Sequence, residues 1–328
     1  MGATLRLWPM ISCLPLNEAR DSWFALHSVD CSDSTMKALP ISLSILLLGS
    51  SISSGEDPSF PKRNLQLWLK ADAGVTTENN HGKGGSPRDV TRWSDQSGHG
   101  IELKPAYQKA STRPELITKV PELRGKPAVR FGGKGGSNFE ITDALLGRIE
   151  KPFDLNRGTV FLVARMAPIS TISPLTLSAT ANSRTGRGGV GIRRGGAADS
   201  WFCVHYGGPG NGKKIQSTEA KLAPGFHILA VTFDKHKTEL EMTADGRPSG
   251  ATLRDKANLP LEPIRFVQIG GHGILDSPGD PGAEWFFNGE IAEVLVFDRI
   301  LEKNGVAAPF NAVGIYLQKK YGLSGAFK

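Results

Sequence analysis

Gly289-Glu290-Ile291-Ala292-Glu293-Val294-Leu295-Val296-Phe297 is the stretch whose reading decides the fold. It is a short, mostly apolar run bounded by a glycine and by Asp298, which reads as a strand buried on both faces. Directly after it, the segment from Leu301 to Tyr321 carries Val313, Leu317 and Tyr321 at four-residue spacing, a helical pattern. The chain is therefore expected to close a sheet at Gly289–Phe297 and to end on a short helix.

Working back from the closing strand, similar runs recur. Arg265 to Gly270, Thr238 to Ala244 and Phe226 to Phe233 read as strands, and Asp245-Gly246 is a hairpin turn signal. Trp201 to Tyr206, Gly188 to Arg193, Leu175 to Ala179 and Gly158 to Met166 are further strands. So are Pro127 to Phe131, Val90 to Trp93 and Leu65 to Leu69. Asp95-Gln96-Ser97-Gly98-His99-Gly100 is a turn, because Asp, Ser and Gly favour turn geometry. The 39 glycines and 21 prolines fall between these runs, as a fold with many turns requires. About a dozen short strands with no βαβ alternation predict an all-β, two-sheet antiparallel sandwich or jelly roll with a C-terminal helix.

Met36-Lys37 begins a different pattern. The apolar run from Ala38 to Leu48 and the small residues through Ser54 fit a secretory signal peptide over 36–53. The run is shorter than the ~20 residues a spanning helix needs. Residues 1–35 are then expected to lie outside the native product, with Met36 as the start, 54–63 as a linker and 64–323 as one domain. Of three cysteines, Cys13 and Cys31 fall in the excluded stretch, so Cys203 is left alone and reads as a small packed hydrophobe. The chain carries a formal charge of +7, and residues 1–35 hold two basic and four acidic side chains, which leaves +9 for the rest. Arg184, Arg187, Arg193 and Arg194 are the one notable basic cluster. For an exported protein, this charge points to an acidic polysaccharide or anionic surface rather than to nucleic acid.

Several of these segments resemble secreted bacterial laminin-G-like, concanavalin A-like domains. Leu67-Trp68-Leu69-Lys70-Ala71-Asp72-Ala73-Gly74-Val75 resembles their opening strand, and Trp93-Ser94-Asp95-Gln96-Ser97-Gly98 their Trp-x-Asp-x-Ser-Gly turn. Lys126 to Phe131 resembles the strand that follows, and His227 to Phe233 with the Asp245-Gly246 hairpin the paired central strands. Phe287 to Arg299 resembles the closing strand and Tyr316 to Leu323 the final helix. The resemblance covers 64–323 and implies a two-sheet jelly roll. It fixes no ligand, since this fold carries lectins, glycanases, lyases and adhesion modules.

Chemistry is harder to find than fold. A glycanase needs two carboxylates across the scissile bond. Glu239 and Glu241 share a face without a third acidic partner. Glu290 and Glu293 are three apart, so a regular strand points them to opposite faces. Glu293 would then share a face with Ile291, Leu295 and Phe297 as a structural, buried carboxylate that requires a cation or donors. A lyase needs a Tyr or His base and a neutraliser of the uronate. His205, Tyr206, His227, His272 and Gln268 are of the right types but not at lyase spacing. Calcium is expected, if anywhere, at Asp95, Asp276 and Asp280, with Glu284 nearby, where hard oxygen ligands cluster in loops. Sugar contact is expected at Trp201, His205 and Trp285, aromatic or polar groups at strand positions. No catalytic residue is assigned. The function expected is an exported, non-enzymatic module that binds a polysaccharide or glycoconjugate. A glycoside hydrolase or lyase on the same fold, or a structural or adhesion protein of the cell envelope, are the alternatives.

Overall fold

The computed structural model describes residues 60–78, 88–107, 113–132, 143–167, 173–179, 189–194, 200–206, 214–216, 220–234, 236, 239–249, 262–272, 285–305 and 308–328. At 194, 200–206, 214–216, 220, 272, 285 and 286 it describes the backbone alone.

Every strand pairing among the described residues is antiparallel. The strands form two layers. The closing strand Gly289–Phe297 lies in the middle of the first. One of its edges pairs along its length with Arg157–Met166. Its other edge is shared: Gly289 to Ile291 pair with Lys126–Phe131, and Glu293 to Phe297 pair with Leu65–Lys70. Beyond Arg157–Met166 come Phe226–Asp234, Glu239–Ala244 and Arg247–Ser249. The second layer runs Val75–Glu78, Asp89–Ser94, Glu102–Pro105, Leu145–Phe153, Ile264–Ile269, Leu175–Ser178, Gly189–Arg194 and Ser200–Tyr206. Glu115–Val120, at the edge of the first layer, pairs at Glu115 with Asp89 and joins the two. This is the two-sheet antiparallel jelly roll that the strand pattern predicts.

Two apolar clusters hold it. Between the sheets lie Leu67, Leu69, Trp93, Leu103, Phe131, Leu162, Leu177, Val231, Ile269, Ile291, Val294 and Val296, all buried. On the outer face of the first sheet, Trp68, Phe161, Val163, Ile228, Leu295 and Phe297 pack against the C-terminal helix Pro309–Tyr321 through Phe310, Val313, Tyr316 and Leu317. The first sheet is thus covered on both sides. That is why its strands read as continuous apolar runs rather than as alternating ones.

The structure adds short strands that the sequence reading lacks, Val75–Glu78, Glu102–Pro105, Glu115–Val120 and Arg247–Ser249 among them, and departs from it in other ways. The strand Leu145–Phe153 is missing from that reading, because Gly147 and the Glu150-Lys151-Pro152 segment interrupt its alternation. Gly147 is there for close approach: a Cβ would stand 3.0 Å from Leu103 of the neighbouring strand. The folded unit also extends past 64 and 323. Phe60 packs on Trp68 and Tyr316 with ring centroids 5.3 and 4.9 Å away, and Phe327 is buried in the helix-side cluster.

A further departure concerns facing. Register slips by one residue between Ile291 and Glu293, a β-bulge that leaves Ala292 as the extra residue. Ile291 faces the inter-sheet core while Ala292 and Leu295 face the helix. Glu293 therefore joins the helix side, not the Ile291 side. Glu290 is on that side too, bonded to Arg165, so the two glutamates share a face. A second slip, between Leu65 and Leu67, likewise puts Leu65 on the helix side and Leu67 in the inter-sheet core.

Candidate functional site

Glu293 is completely buried and accepts four hydrogen bonds. Trp68 Nε1 (2.6 Å) and the Tyr316 hydroxyl (2.9 Å) donate to Oε1; Lys320 Nζ (2.7 Å) and the Tyr321 hydroxyl (2.7 Å) donate to Oε2. Lys320 also reaches Asp72 at 3.1 Å. The bulge turns the carboxylate toward the helix, where Tyr316 and Lys320 lie one turn apart on one face and the Tyr321 hydroxyl reaches it from the helix C-terminus. Burial, and next the Glu293 charge, hold the Tyr321 hydroxyl protonated well above the usual phenol range. The cluster pins the helix to the sheet. Every oxygen position is filled from within the protein, which leaves no face of this carboxylate open to a substrate. Glu290 is similarly occupied, by Arg130 at 2.8 Å and Arg165 at 2.6 Å.

Asp95, offered by the sequence as a calcium ligand, uses its oxygens to build the turn. Oδ1 accepts the backbone N–H groups of Trp68 (2.8 Å) and Ser97 (2.9 Å), and Oδ2 accepts the Ser97 hydroxyl (2.6 Å) and the His99 N–H (3.2 Å). Asp276 and Asp280 lie outside the described residues. Among the described residues no three His, Cys, Asp or Glu side chains gather as a metal site would need. Trp201 and His205 are described by backbone only, in register with Arg194 and Val190 respectively. Trp285 is described by backbone only, paired with His272. Of the lyase-type candidates, the two described with side chains lie apart, His227 in the first sheet and Gln268 in the second; His205, Tyr206 and His272 are described by backbone only.

Two other places gather polar groups. The first is a row on the second sheet. Leu175, Leu177, Val267 and Ile269 point into the inter-sheet core, so alternation aims Thr176, Ser178 and Gln268 at the opposite face. Cross-strand pairing sets Gln268 beside Thr176 and Thr176 beside Gly191. All three polar side chains are buried, and Gln268 Nε2 donates to the Ser178 hydroxyl at 3.3 Å. The Thr176 hydroxyl is buried without a hydrogen-bond partner. A Cβ at Gly191 would stand 3.5 Å from Arg193 Nε and 3.8 Å from Thr176 Oγ1, so both groups flank this position.

The second is an open cleft of about 560 Å³ beside the Asp245-Gly246 hairpin, lined by Lys221, Ala223, His227, Asp245, Arg247 and Ser324 among others. Asp245 and Gly246 both have positive φ, 50° and 78°, the geometry of a tight hairpin turn. His227 Nδ1 lies 2.7 Å from Asp245 Oδ2, and Nε2 lies 2.7 Å from the carbonyl oxygen of Ala223. Both neighbours are acceptors, so only a doubly protonated ring donates to both. Burial pushes the His227 pKa down. Its bonds to Asp245 and Ala223 and the Asp245 charge push it up by more, so the net shift is upward.

The signal for Gln268 and Thr176 was in the sequence, as lone polar residues between apolar neighbours. Alternation alone does not say which sheet face carries them or which strands lie beside them.

No protein-family model matches the sequence, and no curated protein matches it. Solved structures do. The structure of HCR/D-Sa-GBL1/C is similar with TM-score 0.50 at 9% identity, covering 79% of this chain and 52% of that one. The binding domain of botulinum neurotoxin DC, in complex with SialylT, aligns at TM-score 0.47 and 10% identity, again over 79% and 52%. The CBM40 of the Ruminococcus gnavus IT-sialidase, bound to α2,3-sialyllactose, aligns at TM-score 0.34 and 14% identity over 46% of this chain and 87% of that one. The chain thus spans about half the length of the longer structures it matches. At these identities the likeness is one of fold: the chain is an all-β jelly-roll sandwich.

Proposed function

We propose that this chain is an exported, laminin-G-like module that binds a carbohydrate or another surface polymer without chemical change to it. The observation that carries this reading is the buried polar row of Gln268, Thr176 and Ser178 with Arg193 beside it. An amide, hydroxyls and a guanidinium within one strand-to-strand span are the groups that hydrogen-bond sugar hydroxyls. A buried hydroxyl without a partner costs about 1–3 kcal/mol, so the Thr176 hydroxyl calls for a partner, and a sugar hydroxyl can supply it. Glu290 and Glu293, which the bulge puts on one face, are both bound by internal donors, which favours binding over hydrolysis. The apolar run over 38–48 supports export, and the basic charge supports an acidic or glycoconjugate partner.

The test is a glycan array with the purified domain, followed by calorimetry on the hits with and without EDTA. Thr176→Val removes the hydroxyl and keeps the shape. It is expected to weaken binding about tenfold while thermal stability is unchanged or higher. Wild-type affinity in this variant removes the row from the reading. Calcium enters through Asp276 and Asp280, and loss of binding in EDTA is its signature. Reducing ends or unsaturated sugars released from any bound glycan would overturn the non-enzymatic part.

A further inference from the structure

The cleft beside the Asp245-Gly246 hairpin shares no lining residue with the polar row, being built on the first sheet, the C-terminal tail and the Ala220–Lys221 strand at the edge of the second layer. Lys221 and Arg247 are exposed on its rim, and neither is paired with a carboxylate among the described residues. His227 stands between them. Its ring bridges two walls: the Ala223 carbonyl before the Phe226–Asp234 strand, and the Asp245 carboxylate at the hairpin. Asp245 extends the bridge. Its second oxygen accepts the Ile228 N–H at 2.9 Å, and its carbonyl accepts the Ala326 N–H at 2.7 Å from the tail, whose Ser324 and Gly325 form a third wall. The doubly protonated His227 thus ties the Ala223 wall to Asp245, which the backbone bond from Ala326 already joins to the tail.

The charged groups around this ring can be named. Asp245 comes from the hairpin, Arg247 from the strand after it and Lys221 from the two-residue strand Ala220–Lys221, which pairs with Ser200 and Trp201 of the second layer. Arg165, on the neighbouring strand, is turned away to Glu122 and Glu290. With His227 protonated, three cations face one carboxylate, so the cleft carries excess positive charge when its walls are tied. Its volume lies within the range of ligand pockets, and its open, polar rim suits a hydrated ligand.

We infer that this cleft is a pH-gated site for the carboxylate or sulfate group of an acidic saccharide, held in its binding shape by protonated His227. Lys221 and Arg247 contact the anion, and His227 supplies charge and ties the walls. Loss of its proton removes a positive charge and one of the two wall bonds together. The inference does not depend on the polar row, and Thr176→Val is expected to leave this site intact.

The experiment is calorimetry of the whole exported protein with three probes: a polygalacturonate oligosaccharide, a dextran sulfate oligosaccharide and neutral dextran, each at about pH 5.5 and about pH 8.5, on either side of the histidine range. One or both anionic probes are expected to bind at the lower pH and to weaken by about tenfold or more at the higher. Whichever binds identifies the anion. The double variant Lys221→Ser/Arg247→Ser changes only exposed side chains and is expected to lose binding at both pH values. His227→Gln is expected to lose the pH dependence. Equal affinity at both pH values, pH dependence retained in His227→Gln, wild-type affinity in the double variant, or equal binding of neutral dextran would each overturn the inference. If His227→Gln fails to fold, the double variant and the probe comparison still decide it.

Discussion

Glu293 shows how one side chain is placed by its neighbours. Four donors converge on it in a fully buried site, where removing one partner of a buried charge pair costs about 3–5 kcal/mol. Glu293→Gln replaces an acceptor by an NH₂ that faces donors, so a loss of about that size is expected in urea unfolding. An unchanged midpoint would mean that the cluster does not hold the helix. At His227 the sign follows from the upward shift. A histidine whose pKa is raised on folding stabilises fully below its unfolded value, about 6.5, and that contribution is lost as pH rises through the raised value. The wild type is expected to melt above His227→Gln at about pH 5.5, with the difference shrinking toward about pH 9. A difference that grows with pH would contradict the bridging geometry. Among these residues, Glu293 is legible from its strand neighbours as buried and in need of donors, but the donors are not. Tyr316, Lys320 and Tyr321 are over twenty residues away, and only the fold of the helix onto the sheet brings them near.

Elements fit together here through local irregularities. The bulge at Ala292 in the closing strand, and the one near Gln66 in the first strand, each transfer the following residues to the other face. A one-residue slip exchanges faces along a strand, and apolar residues on both sides hide it in the sequence. At the helix, Gly314 admits Phe327: a Cβ would stand 2.1 Å from the Phe327 ring. Alanine is the better helix former by about 1 kcal/mol, but it would expel a buried aromatic side chain, at about 1.5–3 kcal/mol. Gly314→Ala is therefore expected to lower the melting temperature in the wild type. In a Phe327→Ala background it is expected to be neutral or stabilising. Stabilisation in both backgrounds would show that the tail does not pack there.

For the whole molecule, the export reading makes a direct forecast. N-terminal sequencing of the secreted protein is expected to begin at or near Ser54. A mature chain that retains Met1 to Thr35 would end that reading. The strand pattern, the Asp245-Gly246 turn and the spacing of Val313, Leu317 and Tyr321 were enough to determine an antiparallel β-sandwich with a terminal helix. Such signals are local, because alternation and turn chemistry act within a few residues. The tertiary structure alone decided which side Glu293 faces, that His227 meets Asp245 and Ala223, and that Thr176, Ser178 and Gln268 form one row. Those facts depend on register, on bulges and on strands distant in the chain becoming neighbours, and a buried two-faced strand such as Gly289–Phe297 reads the same in either register.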